Sequence, residues 1–201
     1  MGIVLSEGTM MDPANARVTP DLAALVGSRL CHDLVSPLGA IGNGVELLQM
    51  VAPDSPELAL IAEAVAAAQA RVRLFRVAFG AASPDQMLRD TELAQALASL
   101  GGRLSVTTAL PPTLPRVRAK RLALAVLCAE SALAWGGQIA VTDQRITATA
   151  PRLRLDAELW NGLAQGSMPD PLAPNRVHFA LLAATGPVTV TTAETCVSIT
   201  L

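Results

Sequence analysis

The sequence predicts an α + α/β sandwich: an N-terminal helical hairpin forming a dimeric four-helix bundle, followed by a C-terminal α+β domain. Three observations carry this expectation. Hydrophobic residues make up 51% of the 201 positions while aromatics make up only 2% and tyrosine is absent, which favours helices packed closely through Ala and Leu. Two apolar patterns with three-and-four spacing flank Ala52-Pro53-Asp54-Ser55-Pro56, a turn too short for anything but an antiparallel helix pair. Beyond Gly80-Ala81-Ala82-Ser83-Pro84 the pattern changes, and alternating stretches appear between the helical ones.

The elements follow in chain order. Residues 1–18 lack periodicity and read as a flexible leader. Thr19-Pro20-Asp21 then opens a helix, with Thr19 as N-cap, Pro20 as first helical residue and Asp21 favourable to the dipole. It runs to about Val51 and contains Pro37, which removes one backbone hydrogen bond and bends it. Ser55 caps the second helix and Pro56 starts it, with Ile61, Val65, Ala68, Val72, Phe75 and Phe79 as its core seam. Residues 19–82 thus form the hairpin and 85–201 the α+β domain. In the latter, Thr91–Leu100 reads as a helix, Arg103–Ala109 as a strand and Pro111-Pro112-Thr113-Leu114-Pro115 as a stiff connector. A strongly apolar helix, Val117–Trp135, precedes a hairpin of Gln138–Thr142 and Arg145–Ala150 about Asp143-Gln144. An irregular stretch containing Trp160 leads to a helix near Asn175–Ala184 and a last strand pair, Val188–Thr192 and Cys196–Leu201. Helices on one face of a mixed sheet are expected.

Composition narrows the function. A net charge of −2 and a pI near 5.7 leave no electrostatic footprint for nucleic acid. Cys31, Cys128 and Cys196 are odd in number and widely spaced, so neither a disulfide framework nor a zinc site is expected, and the reducing cytoplasm fits. No uninterrupted apolar run reaches the ~18 residues of a membrane span, so no membrane association is expected.

The chemistry concentrates around His32. Taking about 100° per helical residue, Leu30, Leu34, Leu38, Ile41, Val45 and Leu48 share one bearing, the expected buried face. His32 lies on the other side with Ser36, Gly39 and Asn43, an imidazole amid small polar neighbours with an acid, Asp33, beside it. The bland readings are a solvated histidine without a task, an ordinary helix charge at Asp33, and plain solvent-face residues at Ser36 and Asn43, with Gly39 serving helix packing. Arg71, Arg73 and Arg76 form either a basic docking surface or a solvated face, and His178 reads as structural.

His32-Asp33-Leu34-Val35-Ser36-Pro37-Leu38 resembles the phosphoacceptor box of two-component signalling proteins: His, Asp or Glu, Leu, any residue, Ser/Thr/Asn, Pro, Leu. Val35 departs from the Arg or Lys usual in such kinases. The C-terminal element order resembles the ATP-binding domain of histidine kinases, especially over Leu122–Val141. Yet Leu127-Cys128-Ala129-Glu130-Ser131-Ala132-Leu133 lacks that family's magnesium-binding Asn, and no Asp-x-Gly-x-Gly follows. A phosphoacceptor hairpin joined to a degenerate kinase-like ATPase domain resembles the ChpT-type histidine phosphotransferases of bacterial phosphorelays.

The resemblance implies reversible phosphoryl transfer between receiver aspartates and His32, with Asp33 orienting the ring or stabilising its charge. It also implies receiver docking over Arg29, Ser36, Gly39 and Asn43. No cofactor or metal is then bound by this chain, since Mg²⁺ and a lysine come from the receiver. The expected partners are response-regulator receiver domains, the receiver of a hybrid histidine kinase and a second copy of the chain. A non-catalytic dimeric adaptor and an ATP-dependent histidine kinase are the alternatives. A His-Asp metallohydrolase would need more histidines than His178 supplies.

Overall fold

The computed structural model describes residues 21–201. The expected leader and the Thr19-Pro20 helix start lie outside the described residues. The first helix, α1 (Leu22–Val51), is capped by Asp21, whose carboxylate accepts from the Ala24 amide at 3.0 Å. Asp21 is therefore the cap and not a first-turn charge: its extended backbone, φ −66° and ψ 91°, keeps it out of the helix. In α2 (Pro56–Phe79) the expected start holds, with Ser55 Oγ accepting from the Leu58 amide at 3.2 Å and Pro56 in the first turn.

The seam between the two helices differs from the expected one. Ala24, Cys31 and Val45 are the buried residues of α1, with Leu38 half-buried between them. Leu30, Leu34, Ile41 and Leu48 are about half exposed, at 58, 49, 51 and 55%. The reason is close approach through small residues. A Cβ on Gly27 would lie 2.9 Å from the Phe79 carbonyl oxygen, and one on Gly42 would lie 2.8 Å from Gln69 Nε2. Gln69 fixes the contact further by donating to the Leu38 carbonyl at 3.0 Å. The seam thus runs through Gly, Ala and Cys, and the larger side chains face outward. In α2, likewise, Val72 is buried and Phe75 and Phe79 are half-buried, while Ile61 is exposed.

The remaining elements are β1 (Met87–Arg89), α3 (Asp90–Leu97, extended by a 3₁₀ turn to Leu100), β2 (Leu104–Ala109), β3 (Thr113–Pro115), α4 (Arg116–Ala132), β4 (Gly137–Thr142) and β5 (Arg145–Thr149). They continue with α5 (Ala157–Gln165), α6 (Val177–Ala184), β6 (Thr189–Thr192) and β7 (Cys196–Thr200). Mixed helix and sheet are as expected, with two corrections. The proline-rich connector contributes β3, which pairs antiparallel with β1 through Leu88 and Leu114; its prolines are tolerated because the pair is a short, separate ribbon. The stretch around Trp160 is helical, capped by Asp156 and ended by Gly166 at φ 72°, and it buries Leu159, Trp160 and Leu163.

The main sheet has the order β2-β4-β5-β7-β6, parallel between β2 and β4 and antiparallel elsewhere. Ile139, Val141, Ile146, Ala148, Val197 and Ile199 face the core, and the alternate residues face away from it. Over this face lies α4, with Leu122 through Ala129 all buried. The same core takes in Leu74, Val77 and Ala78 of α2. That half of α2 is sandwiched between α1 and α4, which sets where the hairpin stands against the sheet.

Candidate functional site

His32 projects from the first half of α1 with its side chain 82% exposed. Its Nδ1 lies 3.2 Å from Asp33 Oδ1, and Arg29 Nε donates to Asp33 Oδ2 at 2.9 Å. Arg29, Asp33 and His32 therefore form one chain along the helix surface. The hydrogen bond to His32, reinforced by Arg29, holds the Asp33 carboxyl below the usual carboxylate range. An ionised carboxylate only accepts, so in a neutral ring this contact favours the tautomer with the proton on Nδ1 and the lone pair on Nε2. At this exposure the chain contributes orientation and little stability. Pro37 cannot donate to the Asp33 carbonyl one turn back, so that oxygen has no helical partner.

The imidazole stands at the wall of a cleft of about 840 Å³ between the hairpin and the sheet domain. From α1 come Ser28, His32, Val35 and Ser36; from α2 and its end come Arg76 and Gly80; the far wall is Gln86, Met87 and Arg116. The floor is well fixed. Arg116 donates to the carbonyls of Val77 and Arg76 at 2.8 and 2.6 Å, Lys120 donates to that of Gly80 at 3.1 Å, and Ser28 Oγ accepts from the Ala81 amide at 2.9 Å. These cations satisfy the carbonyls that end α2. Burial pulls both the Arg116 and the Lys120 pKa down, but both stay charged on those oxygens.

Of the residues expected at the site, the structure brings Ser36 into the cleft with His32 and places Arg29 on Asp33. Gly39 and Asn43 lie farther along α1, outside the cleft lining. Nothing lies within 4 Å of a Cβ on Gly39, so Gly39 does not serve helix packing; Gly27 and Gly42 do. The three arginines of α2 part company. Arg71 forms a two-pronged ion pair with Glu130 at 3.0 Å on both prongs and lies over the Phe75 ring, Arg73 is exposed, and only Arg76 enters the cleft. Glu130 belongs to the α4 segment that lacks the kinase-type asparagine, and its carboxylate is committed to Arg71. His178 packs on Phe179, and burial, with Arg176 and Arg71 nearby, lowers its pKa to about 4. Among the described residues, no group of three or more His, Cys, Asp or Glu side chains is placed to hold a metal.

Sequence reasoning missed Ser28, Gln86, Met87 and Arg116. Arg116 meets α2 across 39 and 40 residues of chain, and no local pattern marks such a contact.

The family described as "Histidine phosphotransferase C-terminal domain" matches residues 90–187. A relative described as "Protein phosphotransferase ChpT", from Brucella abortus (strain 2308), is 37% identical over 139 residues. That alignment covers 64% of this chain and 66% of the relative's length, just under two thirds of it. A solved structure described as a bacterial phosphotransferase at 1.7 Å superposes with a TM-score of 0.60 and 25% identity, covering 92% of this chain and 97% of that one. Together with the His32 box, these matches make the chain similar to the ChpT-type histidine phosphotransferases.

Proposed function

We propose that this protein is the histidine phosphotransferase of a bacterial two-component phosphorelay, passing a phosphoryl group between receiver-domain aspartates through His32 without using ATP. One observation carries the reading: an exposed imidazole, held through Nδ1 by Asp33, lines a large cleft and leaves its other nitrogen free to act. In the forward step Nε2 attacks phosphorus in line, the acyl-phosphate P–O bond breaks and the receiver carboxylate leaves. The ring keeps its Nδ1 proton and becomes a phosphoimidazolium, whose positive charge Asp33 faces. The reverse step returns the group to a second receiver. Mg²⁺ and a lysine on the receiver neutralise the phosphoryl oxygens in this scheme, so this chain needs no cofactor of its own.

Arg29, Ser36, Gly39 and Asn43 are proposed as the receiver-docking strip, with partners being response-regulator receivers and the receiver of a hybrid histidine kinase. Residues 85–201 act as a degenerate kinase-like ATPase domain, and residues 19–82 as the dimerisation and phosphotransfer unit. A second copy covers the outward stripe Leu30-Leu34-Ile41-Leu48, making a four-helix bundle; exposed Leu60 and Ile61 of α2 extend the patch. By length and composition α1 is also apolar enough to cross a membrane. Arg29, His32 and Asp33 on its surface favour the second copy, because charges are costly in hydrocarbon. The cytoplasm is the compartment proposed, since free thiols such as Cys31, Cys128 and Cys196 persist in a reducing environment.

Incubation with a phosphorylated receiver and Mg²⁺ tests the reading. Acid-labile phosphate should appear on the wild type and be absent from His32→Ala, which leaves the fold intact because the side chain packs on nothing; label on that variant would overturn it.

A further inference from the structure

We infer that Arg76 is a further catalytic residue for transfer through His32: its side chain, lining the same cleft as the imidazole, clasps the phosphoryl oxygens. This rests on the phosphotransfer reading above and adds a residue from α2 to it. The antiparallel hairpin brings the last turn of α2 beside the first half of α1, so Arg76 and His32 line one cleft although 44 positions separate them in sequence.

Arg76 has a cation to spare. The carbonyls ending α2 are already held by Arg116 and Lys120, so its side chain is not needed as a helix cap. Among the described residues it has no carboxylate partner, whereas Arg71 is bound to Glu130 and Arg29 to Asp33. No acidic residue lines the cleft, where Ser28, Ser36 and Gln86 are the neutral polar groups. Its charge also reaches the turn of α1 that carries the histidine, drawing the Cys31 thiol pKa down against the burial that raises it.

The chemistry fits. Phosphorylation adds one net negative charge at His32, with the doubly charged phosphoryl oxygens outermost, and Arg76, lining the same cleft, is a cation that can offset them. A planar guanidinium matches two phosphoryl oxygens at once, which a lysine cannot do. Arg76 then stabilises the phosphorylated state of His32 relative to the free one, and shifts where the phosphoryl group rests between this protein and its receivers.

The experiment mixes the full-length protein with a phosphorylated receiver and Mg²⁺ and reads the equilibrium partition of phosphate between receiver and His32, together with kcat and KM. Arg76→Gln should lower the phosphohistidine share by about tenfold, the scale of one charge-assisted hydrogen bond, and lower kcat more than KM changes. Arg76→Lys should recover part of the loss. The Arg76 carbonyl that Arg116 grips is main chain and survives each substitution. If Arg76→Gln melts early, Arg76→Met keeps the aliphatic stem and carries the same test. A charge-free variant that melts like the wild type and partitions phosphate like it overturns the inference. No label on the wild-type protein overturns the phosphotransfer reading and takes the inference with it.

Discussion

Gly39→Ala should make the protein more stable and a poorer docking partner. A helix-interior glycine costs about 0.8–1.0 kcal/mol relative to alanine through backbone entropy. At Gly39 nothing lies within 4 Å of the new methyl, so no packing term opposes the gain and the full ~0.8–1.0 kcal/mol should appear. For a chain of 201 residues this raises the melting temperature by about 2–4 °C. Gly27→Ala is the control on the same helix. Its methyl would sit 2.9 Å from the Phe79 carbonyl oxygen and 3.1 Å from Phe79 Cβ, atoms tied to the backbone of α2. Overpacking of that kind costs about 1–3 kcal/mol, which cancels or exceeds the propensity gain, so Gly27→Ala should melt no higher than the wild type and up to several degrees lower. Thermal unfolding followed by circular dichroism measures both. Transfer from a phosphorylated receiver then tests the proposed docking strip, on which the Gly39→Ala methyl would stand. A destabilised Gly39→Ala, or a stabilised Gly27→Ala, would refute the assignment of which glycine holds the helices together.

Two further outcomes are expected. Leu34→Glu and Leu48→Glu place charge on residues that are 49 and 55% exposed in the single chain, so each should keep its helical content yet show the mass of a monomer by light scattering at micromolar concentration; a dimer persisting in both variants would place any second copy elsewhere. His178 has a folded-state pKa of about 4, below its ordinary 6.5, so the folded protein prefers it neutral; its contribution is complete above pH 6.5 and is lost as pH falls toward 4, by at most about 3 kcal/mol. The stability difference between wild type and His178→Gln should therefore shrink across that window, and parallel urea-derived stability curves from pH 7 to 4 would disprove it.

Much of the architecture was legible because its signals are local. Ser55-Pro56 announces a helix start in two residues, and Asp143-Gln144 between alternating runs announces a β-hairpin, which pairs Val141 with Ile146. The outward placement of His32 was legible from the helical period for the same reason. What failed was non-local. The apolar bearing of α1 correctly identified a hydrophobic stripe but not its partner: hydrophobicity favoured Leu30, Leu34 and Ile41, whereas proximity to α2 is set by the absence of side chains at Gly27 and Gly42. The strand Thr113–Pro115 exists only because Met87–Arg89 lies beside it, and nothing within a proline-rich run reveals that neighbour. The nine-residue helix around Trp160 went unread although the shorter α3 and α6 were expected. Arg76 was visible as a charge, but its separation from Arg71 and Arg73 depends on how α2 is rotated against α4.

Leu74, Val77 and Ala78 have a consequence for the order in which the chain can mature. Synthesis proceeds from the N-terminus, so the hairpin leaves the ribosome well before α4 exists. Arg116 grips carbonyls made 39 and 40 residues earlier. During that interval one side of α2 has only water against it, and the nascent hairpin carries two uncovered apolar faces in place of one. A fragment ending near residue 82 would keep His32 but would be prone to self-association through the wrong face. Only once α4 and the sheet are made does that side of α2 gain its cover.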